Sequence, residues 1–234
     1  MYYMGYGFMW DEPWVIMLLM VTMIWAGWAQ MKVSSTFNKY SKTRNSRGLT
    51  GADAAAQVLK NNGIYDVRIE RIAGNLTDHF DPTSNVIRLS DSVHSSTSVA
   101  ALGVAAHEAG HAVQYAKGYS PMKLRAAIIP VANIGSKMAF PLIILGLFIT
   151  PMLTNVGILL FSTTALFQLV TLPVEFDASN RAIKALADGH ILGDDELKMA
   201  KQTLSAAAMT YVAALAVSIV QVIRLVVRYG GRRD

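Results

Sequence analysis

The sequence predicts an α+β membrane protein that is mainly helical, with three to four transmembrane helices and one small polar domain. Hydrophobic residues make up 53% of the 234-residue chain and charged residues only 16%, whereas soluble domains carry about 25% charged residues. Three uncharged stretches, 13–31, 138–174 and 202–223, together hold a third of the chain. Because about 20 apolar residues span a bilayer, these stretches exclude an ordinary soluble protein. The polar remainder excludes a pure membrane bundle.

Polar and apolar segments alternate along the chain and predict five parts. They are an N-terminal membrane anchor (1–31), a cytoplasmic domain (32–137), a transmembrane hairpin (138–174), a helix and loop (175–201), and a C-terminal apolar helix with a basic tail (202–234). Five cations follow the first apolar run with no acid among them: Lys32, Lys39, Lys42, Arg44 and Arg47. By the positive-inside rule, the domain after this run faces the cytoplasm of a multi-pass protein in the cell membrane.

The first apolar run has the features of a retained anchor whose N-terminus lies outside. Asp11 and Glu12 precede it, whereas a signal peptide begins with basic residues. Cleavage near Ala29 is the alternative. Four tryptophans lie near the ends of the run, as interfacial aromatic side chains do: Trp10, Trp14, Trp25 and Trp28.

The second run, 138–174, is long enough for two crossings. Pro151 to Gly157 is a turn signal in its middle, so Met138 to about Leu153 and Val156 to Leu172 predict a hairpin that leaves the cytoplasm and returns. The first arm is short unless it extends back through Ala126, with Lys137 snorkelling or facing protein.

The last run is ambiguous. A spanning helix places its cations outside, against the positive-inside rule: Arg224, Arg228, Arg232 and Arg233. A helix this rich in small residues can instead pack within the bundle or lie obliquely to the membrane.

The cytoplasmic domain has the signals of a small α/β unit. Thr50 is a candidate N-cap of an alanine-rich helix that ends at Asn61-Asn62-Gly63. Val67 to Ile72 alternates apolar and charged residues and predicts a half-buried strand, and Val86 to Leu89 predicts a second strand. A serine-rich segment then caps a long helix from about Val99 to Lys117, and the cap is either Ser90-Asp91 or the cluster Ser95-Ser96-Thr97-Ser98.

The long helix carries the motif His107-Glu108-Ala109-Gly110-His111. Residues four apart share one helix face, so His107 and His111 can present two imidazole nitrogens to one metal, with Glu108 beside it. This HExxH pattern is typical of zincin-like zinc peptidases, in which the glutamate is the general base. The alternative is that the two histidines have this spacing by chance and bind no metal. The expected cofactor is one Zn²⁺ per chain.

A catalytic zinc needs three protein ligands and one open position, and the motif supplies two. The third histidine of the HExxHxxGxxH pattern is absent. Among the other glutamates, Glu12 precedes the anchor, Glu70 alternates outward on a strand and Glu196 lies in an acidic loop. Glu175 follows the hairpin on the side of the histidines, and Pro173 is suited to open a helix there. Glu175 is therefore the candidate third ligand, unless it merely favours a helix N-terminus.

Four segments resemble the neutral zinc metallopeptidases of the YugP type, which are membrane proteases. They are LTDHFDP at 76–82, IRLS at 87–90, AALGVAAHEAGHA at 100–112 and PVEFDAS at 173–179. More distantly, the layout is similar to the HtpX-like and CAAX-prenyl endopeptidases. In those families the third ligand is the glutamate of an ExxxD segment, which maps to Glu175, but Ser179 stands where the aspartate would be. Ser179, Asp177 or Asn180 can therefore be the partner of a ligand histidine.

Two further features concern substrate binding. His79 can stabilise an oxyanion, order its loop, or have a plain surface role. In HExxH peptidases the strand before the ligand helix often pairs with an extended peptide, and the candidate edge strand is Val86, Ile87, Arg88 and Leu89. Because Glu175 follows the apolar run directly, juxtamembrane segments of membrane proteins and unfolded proteins are the expected substrates.

These patterns predict a membrane-embedded zinc endopeptidase of the gluzincin type. His107, His111 and Glu175 bind zinc, and Glu108 is the general base. A zinc-binding membrane scaffold or pseudoprotease is the alternative. A nucleic-acid partner is not expected, because the basic residues flank apolar runs, and a transporter would need ionisable residues that 138–174 lacks. The oligomeric state is left open by the sequence.

Overall fold

The computed structural model describes residues 12–229. Trp10, Asp11, Arg232 and Arg233, which entered the sequence-based predictions, lie outside the described residues. Along the described chain the elements are α1 (Pro13–Tyr40), α2 (Gly51–Asn61), β1 (Arg68–Ile72), β2 (His79–Asp81), β3 (Val86–Ser90), α3 (Val99–Ala116), α4 (Ser120–Phe148), α5 (Pro151–Asp188) and α6 (Asp194–Tyr229). The fold is thus a mainly helical α+β fold with a small sheet, as the sequence predicts.

The chain divides into two compact units. The polar unit comprises 29–123 and 172–210, and the apolar unit comprises 12–28, 124–171 and 211–229 among the described residues. Four helices are long and apolar enough to cross a membrane, namely α1, α4, α5 and α6. Their number agrees with the three to four transmembrane helices that the apolar runs predict.

The sheet of the polar unit has the order β1-β3-β2. β3 pairs in parallel with β1 and antiparallel with β2, and Val86, Ile87 and Leu89 are fully buried. Because both edges of β3 are hydrogen-bonded to neighbours, the prediction that Val86–Leu89 is a substrate-binding edge strand was wrong. Arg88 bridges the flanking strands instead, with its guanidinium 3.0 Å from Asp81 and 3.7 Å from Glu70.

Side chains cap the two helices that pack against this sheet. At α2 the Thr50 hydroxyl accepts from the backbone N–H of Asp53, and the Asp53 carboxylate accepts from the backbone N–H of Thr50. This reciprocal capping box satisfies N–H groups that have no partner within the helix. At α3 the cap is Ser98, whose hydroxyl accepts from Ala101. The caps fix where both helices begin, as the sequence predicts for Thr50 and the serine-rich segment.

α3 lies in the core of the polar unit, and 14 of its 18 residues are buried. Its alanines and glycines permit close contact with neighbouring helices. A Cβ on Gly110 would lie 2.7 Å from the carbonyl oxygen of Ala178 in α5, which is closer than real Cβ contacts. This approach brings the HExxH motif against the segment of α5 that carries Glu175.

The helical hairpin of the apolar unit turns earlier than predicted. α4 ends at Phe148 and α5 begins at Pro151, so the whole predicted turn signal, Pro151 to Gly157, lies inside α5. Proline fits the first helical turn because its missing N–H has no partner there. Pro173, in contrast, does not begin a helix as predicted, because α5 continues through it to Asp188.

Glycines allow the arms of the hairpin to pack closely. A Cβ on Gly135 would lie 2.6 Å from the Leu160 carbonyl oxygen, and one on Gly157 would lie 2.8 Å from that of Ala139. Small residues at helix contacts are typical of membrane proteins, where close backbone packing takes the place of the hydrophobic effect.

Candidate metal centre

Three side chains from two helices of the polar unit meet at one point. The Glu175 Oε2 atom lies 3.3 Å from His107 Nε2 and 3.6 Å from His111 Nε2. One ligand atom from each residue can be chosen so that all three lie within 4.8 Å of one another. The side chain of Glu175 is only 3% exposed. The structure therefore places the predicted third ligand beside the two histidines.

The helical period and a close helix contact create this geometry. His107 and His111 are one turn apart on α3, and their rings are nearly perpendicular with centroids 4.7 Å apart. Gly110 lies between them in sequence and allows the α5 backbone to approach. Glu175 precedes Ala178 by about one helical turn, so the same contact positions its carboxylate.

The donor set fits zinc. Two imidazole nitrogens and one carboxylate oxygen are ligands that catalytic zinc sites use, and three protein ligands leave one coordination position open. A buried carboxylate facing two imidazole rings also supplies the negative charge that a divalent cation requires. His107, His111 and Glu175 are thus positioned to bind a single metal ion.

Each ligand histidine has a hydrogen-bond partner on its other ring nitrogen. His107 Nδ1 lies 3.1 Å from the Ser179 hydroxyl, and His111 Nδ1 lies 2.9 Å from Gln114 Oε1. Such partners orient the rings of ligand histidines. Ser179 is therefore the histidine partner among the three predicted candidates. Asp177 contacts Gln114, and Asn180 is exposed.

Comparison with known proteins agrees with this centre. The sequence profile of a family described as "Putative neutral zinc metallopeptidase" matches residues 15–230. The chain belongs to this zinc metallopeptidase family. A Bacillus subtilis (strain 168) protein named "Putative membrane protease YugP" is 46% identical over 209 residues, which cover 88% of the chain and 92% of that protein. No solved structure matches. The family resemblance predicted from four sequence segments is confirmed.

Negative charge is concentrated around the histidines of this metallopeptidase. Burial lowers the pKa of His111, but the nearby carboxylates of Glu175 and Glu108 outweigh it and raise the pKa. The centre therefore favours positive charge at this ring. A bound metal cation benefits from the same field.

Glu108 lies on α3 between the two ligand histidines in sequence, and it is buried, with 8% exposure. Its charge also acts on Asp78, whose pKa is raised by burial and by Glu108, against hydrogen bonds from Ser90. Asp78 accepts from the backbone N–H and the hydroxyl of Ser90 at 2.7 and 2.9 Å. This half-buried aspartate holds the segment before β2 against the end of β3.

His79 is placed in β2 by the structure. Its Nδ1 atom lies 2.9 Å from the carbonyl oxygen of Thr77, a contact that orders the local loop. The next residue, Phe80, packs at 5.9 Å between ring centroids against Tyr115 of α3. Tyr115 lies one turn beyond His111 and is 53% exposed. An aromatic pair thus flanks the centre where β2 meets α3.

Sequence reasoning missed two features of this region. β2 was not predicted because three residues with polar ends give no alternation signal. Gln114 was not assigned a role, although its spacing of three from His111 places both on one helix face. That spacing could have indicated from the sequence that Gln114 contacts His111.

Proposed function

We propose that this membrane metallopeptidase is a zinc endopeptidase of the gluzincin type that hydrolyses peptide bonds in membrane-associated or unfolded proteins. One observation carries the proposal: Glu175 meets His107 and His111 although 64 positions separate it from His111. A histidine pair on one helix turn is a local pattern, but a buried carboxylate from another helix completes a ligand set.

Glu108 is the general base of this proposal. When bound, zinc supplies a Lewis acid that polarises the peptide carbonyl and acidifies water. Glu108 accepts a proton from the attacking water, whose oxygen bonds to the carbonyl carbon. As the carbon–nitrogen bond breaks, Glu108 delivers that proton to the amine nitrogen. The burial of Glu108 limits competing solvent around the carboxylate.

The peptide substrate is expected to bind along β2. β2 is at one edge of the described sheet, whereas β3 is central. An extended peptide can add to such an edge through main-chain hydrogen bonds. The Phe80 and Tyr115 rings would then contact substrate side chains near the metal centre. The basic cluster from Lys32 to Arg47 supports a cytoplasmic orientation.

The first test is Glu108→Gln, assayed on an unfolded reporter protein in detergent. We expect one zinc per chain to be retained and cleavage to fall at least about 100-fold, because the amide cannot accept the proton. Glu70→Gln is the control, since Glu70 is a half-buried glutamate on β1 that is not part of the ligand set, and its cleavage rate should match the wild type. Unchanged cleavage by Glu108→Gln would contradict the proposed mechanism.

The same assay separates an enzyme from a zinc-binding scaffold. Glu175→Ala should lose both zinc and cleavage, because two histidines remain as ligands. A wild-type protein that binds stoichiometric zinc but cleaves none of a broad set of unfolded and membrane-protein substrates would favour the scaffold.

A further inference from the structure

Gln114 is a fully buried polar residue between α3 and α5. Its side chain makes three hydrogen bonds, all within the polar unit. Oε1 lies 2.9 Å from His111 Nδ1, and Nε2 donates to the Val174 carbonyl and to Asp177 Oδ2, both at 2.8 Å. Both amide hydrogens are therefore used, and one amide group connects a ligand histidine to the two residues that flank Glu175 and Phe176 in sequence.

The acceptors on α5 determine how this amide is oriented. A carbonyl oxygen only accepts hydrogen bonds, so the NH₂ group of Gln114 must face Val174. Oε1 then faces His111, and His111 Nδ1 must donate to it. In the neutral form of the ring the lone pair is consequently at Nε2, which is the atom 3.6 Å from Glu175 Oε2. The network selects the tautomer that a metal needs.

No other side chain of similar length meets these demands. The position requires one acceptor towards an imidazole N–H and two donors towards acceptors on α5. Glutamate has no hydrogen-bond donor when ionised. Methionine has no donor and only a weak acceptor, its thioether sulfur. His107 differs, because its Ser179 partner is a hydroxyl that can donate or accept and so selects no tautomer by itself.

We propose that Gln114 is a positioning residue that sets the tautomer and orientation of His111 and couples both to the α5 segment bearing Glu175. The proposal rests on the zinc peptidase function above, but it concerns metal binding and does not require turnover. Asp177 extends the network, because its Oδ2 atom also accepts from Arg181 Nε at 2.5 Å. Arg181 in turn lies over the ring of Tyr119 at 5.7 Å.

Zinc affinity of the full chain in detergent tests the proposal, measured by competition with a chelator of known affinity. Gln114→Met should weaken zinc binding by about 10- to 100-fold, the usual effect of losing a residue that supports a metal ligand. Ser98→Ala is the matched control, because it removes the N-cap of the same helix far from the metal. Its folded fraction should bind zinc as the wild type does.

A double substitution distinguishes positioning from simple packing. Gln114→Glu keeps an acceptor for His111 but faces the Asp177 carboxylate, so we expect weaker zinc binding. Adding Asp177→Asn supplies an amide donor to that glutamate and should recover at least about half of the lost binding free energy, since the network is again paired. Cobalt-substituted protein provides a spectroscopic readout, in which Gln114→Met should shift the visible bands and Ser98→Ala should not.

The outcomes separate this proposal from the function. Zinc affinity and cobalt bands unchanged in folded Gln114→Met would overturn the role of Gln114, whatever the cleavage activity. If Gln114→Met does not fold, the test is the comparison of Gln114→Glu with the double variant that also carries Asp177→Asn. A double variant that binds zinc no more tightly than Gln114→Glu would overturn the positioning role of Gln114. Wild-type protein that binds zinc without cleaving substrates would contradict the proposed function and leave this test intact.

Discussion

The two ligand histidines are held by chemically different partners. Gln114 is a buried amide with one arrangement of donors and acceptors, whereas Ser179 offers a rotatable hydroxyl to His107. A hydroxyl holds a ring less firmly than a carboxylate, because charged acceptors make shorter and stronger hydrogen bonds. In the ExxxD families that the layout resembles, an aspartate stands at this position, so we expect Ser179 to hold its ring less firmly than an aspartate would.

Zinc affinity should depend on Ser179, the partner of His107. Ser179→Ala removes the hydrogen bond at Nδ1 and should lower zinc affinity by about 10-fold. Ser179→Asp puts a carboxylate there, as in the ExxxD families, and should bind zinc at least as tightly as the wild type. Chelator competition measures both. Asn180→Ala is the control, because Asn180 is the exposed neighbour on α5. Equal affinities for wild type and Ser179→Ala would show that the hydroxyl does not support the ligand.

At the scale of helices, the contact between α3 and α5 determines whether the centre assembles. Gly110→Ala adds a Cβ 2.7 Å from the Ala178 carbonyl oxygen, so the helices must separate. We expect zinc binding to fall by at least about 10-fold and the Tm to fall by several degrees, as overpacking a core costs about 1–3 kcal/mol.

A second glycine of the same helix provides the control for this prediction. A Cβ on Gly103 would lie 3.4 Å from the Ala200 side chain, which is an ordinary contact. Gly103→Ala should therefore keep zinc binding, and its higher helix propensity should preserve or raise the Tm. Thermal unfolding and zinc titration of the two variants side by side measure the difference. Equal behaviour of both variants would rule out the close approach at Gly110.

The elements that the sequence predicted are those specified by local signals. The HExxH helix has a serine cap and a helical spacing of ligands, and α2 has a threonine cap. β2 was missed because its pairing with β3, rather than its own three residues, makes it a strand. The same reason explains the error for Val86–Leu89, since strand order depends on contacts between distant segments.

Proline positions were harder to interpret from sequence. Pro151 stands at the first position of α5, where proline is favoured, but Pro173 lies within the same helix. Packing by neighbouring helices compensates for the hydrogen bond that an internal proline removes, and no local pattern reveals those neighbours. The pairing of Glu175 with the histidines was predictable because few glutamates were available and because the hairpin returns Glu175 to the side of the histidines.

For the whole molecule, the absence of cysteine permits a direct test of membrane orientation. Met152 is 72% exposed near the start of α5, and Tyr65 is 78% exposed in the polar unit. If the hairpin leaves and re-enters the cytoplasm, a membrane-impermeant maleimide should label Met152→Cys in intact cells. Tyr65→Cys should be labelled only after the cells are opened.

Unsubstituted protein should remain unlabelled in both conditions, which makes it the control for this experiment. Labelling of Tyr65→Cys in intact cells would reverse the orientation inferred from the basic cluster. Protection of both sites in intact cells would show that the hairpin tip does not reach the outer surface.

The distance along the chain between His111 and Glu175 affects how the protein matures. A ribosome makes both histidines before it makes the uncharged hairpin, and Glu175 comes after. Two ligands hold zinc weakly, so the nascent chain has no complete centre until the hairpin has been made. We therefore expect zinc to be acquired only after α5 has been synthesised, and a chain that still lacks Glu175 should not cleave itself or the insertion machinery around it.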